Sequence, residues 1–190
     1  MIDSKDITFQ GTEPPDEEIL GKLPEELRSL LRQINGFIAF DGGLHIRGAV
    51  ASPAWHSLRK VWFGDFALSE LFSSLKETDV PFGQDCLGDQ FVLRDGRVRR
   101  LSAETDELED TGLTLNDFLT EAARDPIGFL SLEPLVRFRS EGGKIENGRL
   151  LNVYPPFCTK ESADGISMAS VPMFERIGFL ADFSRRIKNI

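Results

Sequence analysis

Two carboxylates four residues apart, Asp85 and Asp89, are the side chains of this sequence best suited to acid–base chemistry. Two aspartates serve as general acid and general base when their surroundings push their pKa values apart. Aspartates beside a glycine also cap turns, because the short carboxylate accepts backbone N–H bonds. Since Gly88 lies between them, we favour turn capping and keep a hydrolase that uses both aspartates as an alternative.

Other nucleophiles and metal ligands are sparse. Cys86 lies between the two aspartates, but a catalytic cysteine needs a base beside it, and the sequence does not bring His45 or His56 there. The chain has no Cys-x-x-Cys pair, no His-Glu-x-x-His and no glycine-rich phosphate loop. We therefore expect no catalytic residue, no metal site and no cofactor, and we interpret both histidines as structural or surface residues.

An acidic run follows at residues 104–110, interrupted only by Thr105 and Leu108. Five ionised carboxylates this close are costly to bury without partners, so we expect all five to be largely exposed. Such a run suits either a basic protein partner or a plain solvated turn. The residues predicted to contact a partner are Asp85, Asp89, Glu104, Asp106, Glu107, Glu109 and Asp110.

The charge of the whole chain narrows the class of partner. The 190 residues carry a formal net charge of −9. Direct binding of nucleic acid needs a basic footprint, so we do not expect it. A basic protein fits this charge better, although many proteins are acidic for solubility alone.

Cysteine usage and the N-terminal residues predict the compartment. Two cysteines do not make a disulfide framework, which favours a reducing environment. The first residues lack the basic and apolar regions of a signal peptide. No uninterrupted apolar run approaches the roughly 20 residues that span a bilayer. We therefore expect a cytoplasmic protein that does not associate with membranes.

The sequence predicts a β-hairpin at residues 95–96, where Asp-Gly separates two short β-prone runs. A two-residue Asp-Gly loop favours a type I′ turn, which would place Leu93 opposite Val98. Val98 and Leu101 are three residues apart and cannot share one face of a regular strand. We therefore predict a β-bulge at residues 99–100.

The remaining elements predict the fold class. Strands are expected within 37–50 and 90–110, with 144–154 extending the same sheet. Helices are expected at 24–34, 54–62, 68–75, 115–124, 134–141 and 172–188. These unequal runs predict an α+β fold in which helices pack around a strongly twisted antiparallel sheet. The last helix has an apolar side containing Ile177, so we expect it to dock on the core.

Several short segments follow one another in a characteristic order. They are Leu23-Pro24-Glu25-Glu26-Leu27, Asn35-Gly36, Gly43-Leu44-His45-Ile46, Pro81-Phe82-Gly83-Gln84-Asp85, Gly88-Asp89-Gln90-Phe91 and Gly96-Arg97-Val98. In that order and spacing they resemble the SUKH superfamily, the Syd/Knr homology group, whose members often carry an acidic turn where this chain has residues 104–107. The resemblance covers residues 23–119, about half of the chain.

This resemblance implies a fold and a function. It implies a SUKH-like α+β core over residues 1–125, and we expect a C-terminal helical extension over 126–190 to pack on it in a single compact domain. For a bacterial chain it implies a non-enzymatic immunity protein that neutralises a toxin by direct binding. The acidic turn would suit a basic toxin domain. An intracellular regulatory or scaffold adaptor is the alternative, and the sequence does not separate the two.

Overall fold

The structure is a computed structural model that describes residues 2–12 and 14–188. Within them, seven strands form one antiparallel sheet whose spatial order follows the order of the chain. The strands are β1 (Ile7–Gln10), β2 (Phe37–Ala39), β3 (Leu44–Ile46), β4 (Val80–Asp85), β5 (Gln90–Arg94), β6 (Arg97–Ser102) and β7 (Glu107–Asp110). The sheet is open, with β1 and β7 at its two edges.

Helices and a second small sheet surround this main sheet. The helices are α1 (Glu17–Lys22), α2 (Glu25–Gln33), α3 (Leu58–Trp62), α4 (Leu68–Leu71), α5 (Leu115–Arg124), α6 (Pro126–Leu130), α7 (Glu133–Ser140) and α8 (Met173–Ile187). Strands β8 (Arg149–Tyr154) and β9 (Ser167–Pro172) pair antiparallel with each other. The predicted α+β class is confirmed, although the segments predicted as helices at 54–62 and 68–75 contain shorter helices than expected.

The Asp95-Gly96 hairpin forms as predicted. Both residues have positive φ, 53° and 73°, which is the left-handed backbone that a type I′ turn requires. Leu93 lies opposite Val98 across the hairpin. The local sequence was sufficient here because the turn depends only on the two residues that form it.

The bulge predicted at residues 99–100 is wrong, because β6 pairs with β5 in unbroken register along its length. Val98 and Leu101 point to opposite faces of the strand, and both are buried. Both can be buried because the sheet is covered on its two faces. The sheet is irregular at other places, in β4 between Val80 and Gly83 and in β1 between Ile7 and Phe9.

Different parts of the chain cover the two faces of the sheet. On one face, the rings of Phe82 and Phe91 contact the ring of Phe118 in α5, with centroids 5.8 and 4.7 Å apart. On the other face, Gln84 Nε2 donates to the Sδ atom of Met173 in α8 at 3.0 Å. The turn between β4 and β5 lies between these two layers, and the charged side chains described below gather beside it.

The final helix docks on the core as predicted, with Ile177 and Leu180 buried. The prediction that residues 144–154 extend the main sheet is wrong, because β8 pairs with β9 and not with a strand of the main sheet. The small sheet is joined to the turn after β4 by a backbone bond, in which the Leu151 N–H donates to the Cys86 carbonyl at 2.7 Å. Residues 126–188 therefore contain strands as well as helices, and the boundary at residue 125 stays a prediction.

Two strands of the main sheet, β1 and β4, were not predicted. β1 has only four residues, too few for alternation to stand out in a polar segment. β4 contains Pro81 and Gly83, which are disfavoured inside strands. Pro81 is accommodated because it falls at the irregular point of the β4–β5 pairing.

Candidate functional site

Asp85 ends β4 and caps the turn into β5. Its Oδ1 accepts the backbone N–H groups of Leu87, Gly88 and Asp89 at 2.9 to 3.0 Å. Gly88 has a φ of 106°, and a Cβ atom there would lie 2.9 Å from Leu180, so the turn requires glycine at this position. The preferred interpretation of Asp85 as a turn cap is confirmed.

Arg100 of β6 joins the two aspartates. Its Nε and Nη2 atoms donate to Asp89 Oδ2 at 3.1 and 3.0 Å, and Nη2 also reaches Asp85 Oδ2 at 3.2 Å. The other Asp89 oxygen accepts the N–H of Ala103 at 3.0 Å. Both carboxylates are therefore held by donors of the chain itself.

The environment of Asp85 shifts its titration strongly. The side chain of Asp85 is fully buried at 0% exposure. Burial and the charge of Asp89 raise the pKa of Asp85 to about 7, against the opposing effects of Arg100 and the N–H donors. A raised carboxyl pKa is common in catalytic acids. Here, however, the carboxyl group has no exposed surface that a substrate could contact.

Glu104 extends this charged cluster toward the C-terminal elements. Its two carboxylate oxygens accept the backbone N–H groups of Phe157 and Cys158 at 3.2 and 3.0 Å. Arg176 of α8, itself buried, lies 3.7 Å from Glu104. Burial lowers the pKa of Arg176 below its usual value. The expectation that Glu104 is largely exposed is wrong, because it fastens the loop after β8 to the main sheet.

Asp106 also differs from the prediction, since it is only 4% exposed. It accepts the N–H and hydroxyl groups of Ser73 and Ser74 at 2.6 to 3.2 Å, and Lys188 Nζ at 2.7 Å. Burial by itself would raise the pKa of Asp106, but these bonds hold it below its usual value. The sequence could not indicate this role, because Lys188 is 82 residues away along the chain.

The other acidic residues of the run are exposed as expected. Glu107, Glu109 and Asp110 lie on β7, at one edge of the sheet, and we call these three residues the β7 acidic edge. Asp110 forms an ion pair with Arg99 across the strand pair. Glu107 accepts a bond from Thr105. Neither Glu107 nor Glu109 forms an ion pair with another residue of the described part of the chain.

A cavity of about 380 Å³ opens beside the charged cluster, and we call it the Phe157 groove. It lies where the β4–β5 turn, β6 and the start of α7 meet. The lining residues used below are Leu87, Asp89, Glu104, Glu133, Pro134 and Phe157. Sequence reasoning missed the groove because its walls come from segments up to 70 residues apart, counted from Leu87 to Phe157.

The two histidines form a buried pair. His45 Nε2 lies 2.9 Å from His56 Nδ1, and His56 Nε2 lies 2.9 Å from the Asn35 carbonyl oxygen. Burial lowers the pKa of both imidazoles. This hydrogen-bonded packing confirms a structural role. Cys86 is likewise buried, and burial raises the pKa of its thiol, which disfavours the reactive thiolate.

Arg47 is a fully buried cation that the sequence did not reveal. Its Nη1 donates to the carbonyl oxygens of Pro81 and Gly83 at 2.8 and 3.2 Å, and its Nη2 donates to the Oε1 atoms of Gln84 and Gln90 at 2.5 and 2.6 Å. Burial lowers the pKa of Arg47 to about 9. Because the carbonyl groups of Pro81 and Gly83 lie at the irregular pairing of β4, we assign Arg47 a structural role there.

Two negative findings concern the described residues alone. Within residues 2–12 and 14–188, no three His, Cys, Asp or Glu side chains converge in a way that could hold a metal ion. Over the same residues, no helix has the length and apolar content needed to cross a bilayer.

Comparison with known proteins identifies a shared fold. The chain is similar to the protein in the "Crystal structure of Atu4351 from Agrobacterium tumefaciens", with a TM-score of 0.54 and 12% identity. The likeness covers 93% of this chain and 86% of that chain. At this identity it concerns the fold alone. No family model and no curated protein matches the chain, so the SUKH resemblance stays a prediction.

Proposed function

We propose that this chain is a non-enzymatic protein-binding module that neutralises a toxin by direct contact, as the resemblance to the SUKH superfamily implies. The observation that carries the proposal is the division of the acidic residues. The buried carboxylates of Asp85 and Asp106 are occupied by donors within the chain. Glu107 and Glu109 are exposed, and neither forms an ion pair with any described residue, although Glu109 lies opposite Arg100 in the β6–β7 pairing. Their charge is therefore available to a partner.

The charge of the molecule supports a basic partner surface. A net charge of −9 attracts positively charged proteins from solution, and the β7 acidic edge would orient them. Acidic side chains on an edge strand also prevent pairing with other sheets. Protection of the edge strand needs negative charge but no specific partner. Binding kinetics with a partner therefore distinguish this protective role from partner recognition.

The position of the aspartates argues against the hydrolase alternative. Asp85 is buried, and three N–H donors and Arg100 engage its oxygens. Asp89 is held by Arg100 and by the Ala103 N–H. A general base has to reach the proton that it removes, and here both carboxylates are bound to the chain.

The experiment first identifies the partner by affinity capture from the native cell and mass spectrometry. The association rate is then measured at low salt for the wild type and for the double variant Glu107→Lys/Glu109→Lys. Because steering acts on encounter, we expect association to slow by about tenfold and dissociation to change little. Added salt should weaken wild-type binding for the same reason.

A matched control separates local from overall charge. Glu141→Lys/Glu146→Lys makes the same change in net charge, and Glu146 lines a cavity beside Thr8 of β1, at the opposite edge of the sheet. We expect this control to associate at nearly the wild-type rate. An association rate that is the same for both double variants and the wild type would contradict a role for the β7 acidic edge. The same variants would also be tested in the cell for loss of toxin neutralisation.

A further inference from the structure

The Phe157 groove combines apolar walls with carboxylates. Leu87, Pro134 and Phe157 form apolar parts of its lining, and the Phe157 side chain is 43% exposed. An exposed phenylalanine beside an open cavity leaves apolar surface in water that a ligand could cover. The volume of about 380 Å³ is sufficient for one long side chain.

The charges around the groove are unbalanced. Asp89, Glu104 and Glu133 line it, and Arg100 is the cation among its lining residues. Arg100 is shared between Asp89 and the buried Asp85. Glu133 is exposed in the first turn of α7, and its side chain forms no ion pair or hydrogen bond within residues 2–12 and 14–188. Arg176 lies 3.7 Å from Glu104 and offsets part of its charge. Glu133 has no such partner among the described residues, so the groove keeps an excess of negative charge at that wall.

We propose that the Phe157 groove binds an arginine side chain of a protein partner. The proposal rests on the proposed function, in that it names the chemistry of the partner, but it concerns residues other than the β7 acidic edge. The aliphatic part of an arginine would cover Leu87 and Pro134, while the guanidinium would pair with the Glu133 carboxylate. Phe157 offers the guanidinium an aromatic surface at the same site.

Arginine fits these walls better than other ligands. An anion would meet three carboxylates, and the described residues do not form a metal-binding group. A purely apolar side chain would cover Phe157 but leave Glu133 unpaired. Lysine is a more strongly hydrated point charge. It lacks the planar guanidinium group, which stacks on an aromatic ring and forms a bidentate pair with a carboxylate.

The test uses blocked amino acids, so it does not depend on knowing the partner. The full chain, labelled with ¹⁵N, is titrated with N-acetylarginine N-methylamide, and the amide signals of Leu87, Ser102 and Ser131 are followed. We expect saturable shifts with a dissociation constant of about 1 mM, which is typical of a fragment of this size. The neutral isostere N-acetylcitrulline N-methylamide should produce no saturable shifts at the same concentrations.

Variants locate the binding site. Glu133→Gln and Phe157→Ala should each weaken arginine binding by about two- to fivefold, the usual effect of one exposed ion pair or cation–π contact. Glu146→Gln, which removes an exposed carboxylate elsewhere, should leave it unchanged. Both groove residues are partly or fully exposed, so we expect these variants to fold, and their amide spectra report it directly.

Three results would overturn the proposal. They are the absence of shifts at the groove amides, equal shifts with citrulline, and equal or tighter binding of N-acetyllysine N-methylamide. None of these results bears on the β7 acidic edge, which is tested with the partner itself. Conversely, an unchanged association rate for the β7 variants would leave the arginine titration valid.

Discussion

The buried carboxylate of Asp106 connects separate segments of the chain. It joins Ser73 and Ser74, which follow α4, to Lys188 at the end of α8. Three distant parts of the chain therefore meet at one side chain. Reversing the charge of Asp106 would break this anchor, and for that reason the binding experiment changes Glu107 and Glu109 instead.

Asp85 provides a prediction at the same scale. Its folded-state pKa of about 7 lies above its ordinary value of 3.8, so between these values the folded state keeps a proton that the unfolded state has lost. The contribution of Asp85 to the free energy of unfolding should therefore fall as pH rises from about 4 to about 7 and stay level above that. We expect Asp85→Asn to remove this dependence, because an amide does not ionise. The amide oxygen can still accept the N–H bonds of the turn, so the fold should be kept.

The measurement is the difference in the free energy of unfolding between wild type and Asp85→Asn at several pH values. The two proteins have to be compared because the buried pair His45 and His56 changes the free energy of unfolding of both, in the direction opposite to Asp85. Burial lowers both imidazole pKa values, so their contribution is lost as pH falls below 6.5. A wild-type advantage that stays constant from pH 4 to 7 would contradict the raised pKa of Asp85.

Among the elements, α8 has the largest structural role in the C-terminal part of the chain. It contacts β8 and β9, and Met173 at its start receives the hydrogen bond from Gln84. Arg176 projects from the same helix toward Glu104. A single helix thus connects the small sheet with the main sheet and with the charged cluster.

The packing of α8 is tested by truncating one side chain. Ile177 is fully buried, so Ile177→Ala should lower the free energy of unfolding by about 2–5 kcal/mol through lost contacts and a cavity. Phe179, which is half-exposed and contacts Phe183 and Arg176 of the same helix, is the control, and we expect Phe179→Ala to cost about 1 kcal/mol or less. Denaturant titration measures both. Equal losses for the two variants would mean that α8 does not dock as described.

At the scale of the molecule, the C-terminal residues pack on both sides of the main sheet: Phe129 of α6 contacts Phe118 on the first face, whereas β8, β9 and α8 cover the second face. The buried side chains of Leu150, Met173 and Ile177 belong to the same apolar core as those of the main sheet. Lys188 and Arg176 add polar anchors to Asp106 and Glu104. This shared core favours a single cooperative unit.

A truncated chain tests this cooperativity. A variant ending at Asp125 would expose the sheet face that Met173 and Leu150 cover, so we expect no cooperative thermal unfolding transition. The full chain should show one transition in which fluorescence and circular dichroism coincide. If the truncated chain instead unfolds cooperatively near the wild-type midpoint, residues 1–125 form an independent domain.

Features that depend on neighbouring residues could be predicted from the sequence. The Asp95-Gly96 turn supplies its own positive φ angles, and the Thr114–Asp117 capping box closes on itself at the start of α5. The turn-capping role of Asp85 involves only the next four residues. In each case the hydrogen-bond partners lie within a few residues, so local chemistry determines the structure.

Features that depend on distant partners were decided only by the tertiary structure. Burial of Asp106 required Ser73, Ser74 and Lys188, and the exposed or buried state of a carboxylate cannot be read from its own neighbours in sequence. The bulge was misplaced for the same reason, since alternation along one strand does not show whether both faces of a sheet are covered. The sequence by itself determined the Asp95-Gly96 turn, the start of α5 and the overall charge. The tertiary structure decided which of those charges are paired and which remain at the surface, because the energy of a charge depends on what surrounds it in space.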